Sequence, residues 1–229
     1  MMKLYDPKNV DLTIVVLKSF VLGCVFSVNI GLIQLQYFEL ITIKIIPLNV
    51  YLICLSIFHF LEFLSTCTWN YSEVDDDSFI LEDYQMLLVN FMAVLEYIFT
   101  KDYKPFQVYV SIIGFIFIIG GQFIRTYSMY NAGSSFNHYI QRELNQNHHL
   151  VTTGIYRYIR HPSYFGFWWW FIGLQLLVNN IFTLIIGTII LWKFFNNRIK
   201  FEEAYLIKFF EKDYVSYKDR TNTMIPFIK

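Results

Sequence analysis

Residues Leu12–Leu35 form a run of 24 residues that carries a single charge, Lys18. A helix crosses a bilayer with about 20 mainly apolar residues, and lipid offers no partner to an unpaired backbone group. Such a run therefore has to be a buried or membrane-spanning helix. Similar segments recur at Leu40–Thr66, Tyr84–Thr100, Phe106–Tyr130, Tyr164–Val178 and Ile181–Phe195. Only 16% of the residues are charged, against about 25% in soluble domains. The pattern predicts an all-α integral membrane protein with about six transmembrane helices. The last two read as a helical hairpin turning at Asn179-Asn180.

Details within the segments sharpen this expectation. Pro47 predicts a kink in the second span, because its ring removes a backbone donor. Glu96 in the third is costly in lipid and must face protein, a cavity or an interface. Gly114, Gly120 and Gly121 in the fourth allow close helix contact. After Asn196, Leu206, Phe209 or Phe210, and Tyr214 or Tyr217 recur at helical spacing, opposed by Lys208, Glu211 and Lys212. That is a C-terminal amphipathic helix, expected to lie along the interface and to end at Pro226. The first span has no small-residue cleavage site after it and reads as retained. Cys24, Cys54 and Cys67 lack metal or disulfide spacing and read as buried free thiols. A net charge of zero gives no electrostatic case for nucleic acid.

Two divisions follow: residues 1–130 as a four-span membrane region, and residues 131–229 as the region that carries chemistry. Basic residues concentrate in the latter, which by the positive-inside rule puts both termini and both polar clusters in the cytosol. The acidic connection Cys67–Asp83 reads as a solvated loop.

The densest polar stretch is His148–Gly166, HHLVTTGIYRYIRHPSYFG, bracketed by apolar segments. Pro162 suits a first helical turn, where its missing donor costs nothing. The neighbouring N–H groups and the helix dipole can hold an anionic group. The competing reading is a basic interface anchor with an aromatic belt, Trp168–Trp170. His148 and His149 lack a carboxylate or cysteine at metal-ligand spacing, so no metal site is expected. Gly154 and the backbone beside it are a weak candidate for cradling a ligand. Arg198 and Glu202 stand four apart on a helix and share a face. They form either a surface ion pair or part of a site where a membrane helix emerges.

The ordered set AGSSFNH (Ala132–His138), Gln141, HHLVTTGIY (His148–Tyr156), RHPSYFG (Arg160–Gly166), LWKFFNNR (Leu191–Arg198), Glu202-Glu203 and IPFI (Ile225–Ile228) resembles the protein-S-isoprenylcysteine O-methyltransferase family. Phe58-His59 with Glu62, and Asp77-Ser78-Phe79, extend the likeness upstream. The resemblance implies methylation of the C-terminal carboxylate of prenylated CaaX proteins, such as small GTPase-like C-termini, with S-adenosyl-L-methionine as donor. It implies an endoplasmic reticulum membrane location and a cytosol-facing site. By similarity the cofactor residues are Gln141, His148, His149, Leu150, Val151, Tyr156, His161, Pro162, Ser163, Tyr164 and Glu202, and Arg198 meets the substrate carboxylate. Arg198 and Glu202 are thereby the expected catalytic pair, with Glu202 holding either Arg198 or the cofactor's ammonium group.

The chain departs from the family pattern in three places. Asn179-Asn180 stands for the usual Asn-Pro, Glu211 stands where the family commonly has Gly, and Lys200-Phe201 replaces part of an acidic run. Alternative functions are a phospholipid N-methyltransferase, which shares RHPxYxG and the paired glutamates, a sterol reductase, and a channel, transporter or scaffold using His59, Glu62 and Glu96.

Overall fold

Lys18 and the acidic connection, far apart in sequence, meet at one end of the molecule and close its first layer. In the computed structural model, which describes residues 10–104, 107–143 and 149–229, every regular element among those residues is helical. The helices are α1 (Leu12–Tyr37), α2 (Ile46–Trp69), α3 (Tyr84–Thr100), α4 (Gln107–Ala132), α5 (Pro162–Leu177) and α6 (Ile181–Arg220). Asp11 caps α1, accepting from the Thr13 amide at 2.8 Å. Lys18 then donates to the Asp76 carbonyl at 2.6 Å and to Glu82 at 2.8 Å.

Three helical segments, Leu12–Tyr37, Ile46–Trp69 and Gln107–Ser135, are long and apolar enough to cross a membrane, and α3 is a shorter apolar helix. Large apolar side chains such as Phe20, Phe123 and Ile189 are more than 60% exposed, as faces turned to lipid must be. The chain is a multi-pass membrane protein. Polar side chains inside the spans pair with one another: Gln36 donates to Asn49 at 2.7 Å, and Asn49 to Asn29 at 2.8 Å, fastening α1 to α2. Such interhelical bonds satisfy groups that hydrocarbon cannot.

The kink expected at Pro47 is absent. The helix starts at Ile46, so Pro47 falls in its first turn, where the lost donor has no helical partner to miss. Glu39, with φ 57°, lies in the turn that precedes it. The glycine expectation holds at two of three positions. A Cβ on Gly121 would lie 2.5 Å from the Gly166 carbonyl, and one on Gly173 would lie 2.7 Å from the Gly114 carbonyl. Backbones of α4 and α5 are thus in direct contact, and only glycine fits. Gly120 meets nothing within 4 Å.

A helix does follow the last apolar segment: α6 runs from Ile181 to Arg220 and is kinked at Glu211, at φ 44°, ψ −121°, where two helices meet. It stops at Arg220, before Pro226. The amphipathic pattern is real: Tyr214 and Tyr217 are buried, while Lys208, Glu211 and Lys212 are exposed. On that face the Tyr217 hydroxyl donates to the Tyr156 carbonyl at 2.7 Å. Beyond α6, Ile225 and Ile228 pack with Trp168, Phe195 and Ile199, which is why the first and last residues of the IPFI ending are buried and the two between them exposed. The cysteines are free, but Cys24 is exposed and Cys67 half-buried, so only Cys54 is the buried thiol expected.

At the opposite end, Glu96 of α3 caps α6, accepting from the Phe182 and Thr183 amides at 2.9 and 2.7 Å. Asn180 donates to the Ala93 carbonyl at 2.7 Å and accepts from Lys104 at 2.8 Å. This explains how Asn180 substitutes for proline in the turn: its side chain ties α3 to the start of α6.

Candidate active site

One cavity of about 440 Å³ opens between the acidic connection, the polar segments 135–139 and 149–163, and helices α3, α5 and α6. His149, Leu150, Val151, Tyr156, His161, Pro162, Ser163, Tyr164, Arg198 and Glu202 all line it. Gln141 lines a smaller neighbouring pocket together with Tyr164 and Glu202. His148 lies outside the described residues. Gly154 takes no part: it occupies a left-handed turn at φ 59° and packs against the Asn131 side chain, so its role is conformational.

The order of residues in α5 builds one wall. His161 caps the helix and Pro162 takes its first turn; the first intrahelical bond shown is from the Phe165 amide to the His161 carbonyl at 3.1 Å. Amides of Ser163 and Tyr164 therefore belong to the turn that has no carbonyl behind it, where the helix dipole favours negative charge. Tyr164 reaches across to α6. Its hydroxyl donates to Glu202 at 2.6 Å and accepts from Nε of Arg198 at 2.9 Å. Arg198 also donates to the His138 carbonyl at 2.5 Å. The two residues expected to pair are joined through the Tyr164 phenol, a link that sequence spacing does not reveal.

Below this polar pole the cavity turns apolar. Met86 and Val89 of α3 face Ile190, Leu191 and Phe194 of α6, with Phe167 and Trp170 of α5 between them. Trp170 is itself held by a stack on Phe58, centroids 4.2 Å apart. A single space thus joins charged and hydrogen-bonding groups at one end to a hydrocarbon slot at the other.

Several residues that shape the site escaped the sequence reading. Arg125, inside the fourth apolar segment, is buried and forms a fork with Glu62 of α2: Nε to Oε1 at 2.5 Å and NH2 to Oε2 at 2.7 Å. Its NH1 reaches the Ser163 hydroxyl at 3.0 Å, fixing the first turn of α5. A charge pair buried this deeply is tolerated only with such complete geometry. Arg160 and Glu203 form a second buried pair at 2.5 Å, joined by His161 at 3.2 Å and Lys218 at 2.5 Å. Burial works to raise the Glu203 carboxyl, but hydrogen bonds from His161 and Lys218 and the Arg160 charge outweigh it and hold it at about 2. His138 faces the cavity, with its Nε2 3.0 Å from Thr66 Oγ1. Burial pushes its imidazole below the ordinary value against the pull of Glu62. For these, the available signal was the cost of placing Glu62 and Arg125 in apolar segments, which demands a partner.

The acidic connection is not only a solvated loop. Phe79 at its centre is fully buried, stacked on Phe63 at 4.1 Å, and its carbonyl meets Nδ1 of His59 at 2.8 Å. Asp75, Asp77, Glu82 and Asp83 edge the cavity mouth.

The model of the isoprenylcysteine carboxyl methyltransferase (ICMT) family matches residues 112–208, which span most of α4, the polar segments, α5 and most of α6. A protein-S-isoprenylcysteine O-methyltransferase from Saccharomyces cerevisiae is 38% identical over 97% of this chain and 95% of its own length. The chain belongs to this family. The relative of the same name from Homo sapiens is 37% identical over 78% of the chain, which spans 64% of that protein's length. A solved structure of the eukaryotic intramembrane Ras methyltransferase ICMT superimposes with a TM-score of 0.82 at 32% identity, covering 91% of this chain and 74% of that one. The likeness therefore extends beyond the C-terminal half to the helices that carry Glu62 and the acidic connection.

Three residues named for a channel path serve other ends. Glu96 caps α6, Glu62 is consumed by Arg125, and His59 binds the Phe79 carbonyl.

Proposed function

We propose that this protein methylates the C-terminal carboxylate of isoprenylated cysteine in CaaX-processed proteins, with S-adenosyl-L-methionine as methyl donor. Family membership supports the reaction class. The observation that carries the assignment to this site is the single cavity with an arginine at its polar pole and a hydrocarbon slot beneath it. A prenylcysteine has that same division: a carboxylate at one end and an isoprenoid at the other.

The cofactor residues we propose are Gln141, His148, His149, Leu150, Val151, Tyr156, His161, Pro162, Ser163, Tyr164 and Glu202. The donor set fits. The open first turn of α5 can take the cofactor's carboxylate, and Glu202, held by the Tyr164 phenol and 4.0 Å from Nδ1 of His161, can take its ammonium group. When bound, S-adenosylmethionine supplies an electrophilic methyl group on a sulfonium.

Arg198 orients the acceptor carboxylate through its planar fork of donors. That carboxylate is already ionised at neutral pH, so the chain need not supply a general base. Its task is positioning and exclusion of water, which favours the neutralisation of opposite charges during transfer. The apolar slot holds the prenyl chain, which enters sideways from lipid between α3 and α6.

We read six spans, with α5 and α6 re-entering as a hairpin, and a site that faces the cytosol from an endoplasmic reticulum membrane. In this reading residues 1–130 form the supporting membrane region and 131–229 the catalytic region. Small GTPase-like C-termini are the substrates it would meet there.

The test is methyl transfer to N-acetyl-S-farnesylcysteine by protein purified in detergent. Wild type transfers the label, and Arg198→Ala loses on the order of 10²–10³-fold in kcat/KM, the usual loss for a donor aimed at reacting charge. An Arg198→Ala protein that keeps full carboxyl methylation would sink the assignment. Retained methylation of an amine headgroup by that variant would favour phospholipid N-methylation.

A further inference from the structure

The slot has a floor. On α6 its lining runs down from Arg198 to Gly187 and no further, and on α5 it stops at Phe171. At that level a Cβ on Gly187 would lie 2.5 Å from Cζ of Phe171. The tip of the phenyl ring thus fills the volume that any side chain at 187 would require. Both residues are buried. Across from them Asn90 is the deepest α3 residue on the cavity, and its side chain accepts from the Tyr51 hydroxyl at 2.8 Å. A ring tip, a bare backbone and a tethered amide close the bottom.

We propose that Phe171 and Gly187 set the length of isoprenoid that the enzyme accommodates; this rests on the reading of the slot as the prenyl site. Eleven residue steps separate Arg198 from Gly187 on α6, roughly 16 Å at the helical rise. With carbon–carbon bonds of about 1.5 Å, an extended farnesylcysteine spans roughly 19 Å from carboxyl carbon to chain end, and each further isoprene unit adds about 5 Å. A farnesyl chain anchored at Arg198 therefore brings its last unit to the floor. A geranylgeranyl chain must displace the Phe171 ring or fold back. Geranyl, one unit shorter, never reaches it.

The residues act in opposite directions. Phe171→Leu removes the ring tip and deepens the slot. Gly187→Ala forces the ring off the glycine and toward the cavity, making the slot shallower.

The experiment measures kcat/KM of the full chain in detergent toward N-acetylcysteine thioethers of geranyl, farnesyl and geranylgeranyl. Phe171→Leu raises the geranylgeranyl-to-farnesyl ratio by about tenfold, and Gly187→Ala lowers it by about tenfold, in the range that one mismatched apolar group produces. Geranyl turnover stays within about twofold in both variants, because only the far end of the slot has changed. The double variant returns the ratio toward wild type. Should Gly187→Ala fail to fold, Phe171→Leu alone tests the same floor. A ratio unmoved by the variants, with geranyl and farnesyl still methylated, overturns the floor: the chain then leaves sideways into lipid. Wild-type protein that methylates none of the three overturns the prenyl reading itself.

Discussion

Glu202 and Glu203 are neighbours in sequence and opposites in the structure. One residue step turns a helix by about 100°, and that turn sends Glu202 to the cavity and Glu203 into the protein. Their side chains are 28% and 4% exposed. Glu203 is surrounded by Arg160, His161 and Lys218, whereas the hydrogen bond at Glu202 comes from the neutral Tyr164 phenol. The arginines divide in the same way. Arg160 binds Glu203 and the carbonyls of Lys218 and Thr221; Arg198 touches a phenol and a carbonyl. A carboxylate saturated with cations has nothing to offer a cationic ligand, and one held by a neutral donor does. The proposed function thus divides the paired glutamates into one structural and one functional residue.

Glu203→Gln breaks this comparison hardest. It leaves Arg160 buried without its counter-charge, a loss of about 3–5 kcal/mol, read as a fall on the order of 10 °C in the thermal midpoint of the detergent-solubilised protein. Glu202→Gln should leave the midpoint within about 1 °C, as expected of a partly exposed residue without a buried ion pair, while methyl transfer collapses. The reverse pattern, with Glu202→Gln unfolding the protein, would exchange the two roles.

Acid sharpens the comparison next. The Glu203 carboxyl sits at about 2 when folded, against an ordinary 4.5. As pH falls, the unfolded chain binds this proton first, so the stability it contributes is complete above pH 4.5 and drains away toward pH 2. His138 moves in the same direction in a higher window. Its folded value is lowered from 6.5, so the unfolded chain again binds the proton first, and stability drops as pH falls below about 6.5. A thermal midpoint followed from pH 7 downward should decline in two stages. His138→Gln should shrink the upper stage and Glu203→Gln should erase the lower, and variants that track wild type throughout would refute the assignment.

The helices were legible in the sequence because lipid leaves a long apolar run little choice. The α3 span Tyr84–Thr100 emerges with the bounds expected, and residues His149 to Val151, Tyr156 and His161 to Tyr164 line one cavity with Arg198 and Glu202. What was hidden depends on contacts across the chain. Hydropathy extends the second span back to Leu40, but it cannot see the left-handed turn at Glu39 that delays the helix to Ile46 and makes Pro47 an N-terminal residue. Arg125 lies inside an apolar segment, and its partner Glu62 stands 63 positions earlier. Composition makes the acidic connection a solvated loop; one buried phenylalanine, Phe79, turns it into a wall of the cavity. Adjacent glutamates look equivalent in a string of letters, and only a helix with partners on two sides divides them.

The smallest effect expected lies on the same helix, eight residues beyond Glu203. Glu211 holds φ 44°, ψ −121°, close to the first central position of a type II′ turn, where glycine dominates. Glutamate meets a Cβ penalty there on the order of 1 kcal/mol. The side chain is exposed, with no buried partner to forfeit, so Glu211→Gly should gain about that much and raise the thermal midpoint by about 2–4 °C. Methyl transfer should be unchanged, because the bend at 211 already lets Tyr214 and Tyr217 pack beneath Arg160 and Tyr156. An unchanged or lowered midpoint would mean that the bend is held by the glutamate itself, and that its place in the family pattern, commonly a glycine, is occupied here for a reason other than tolerance.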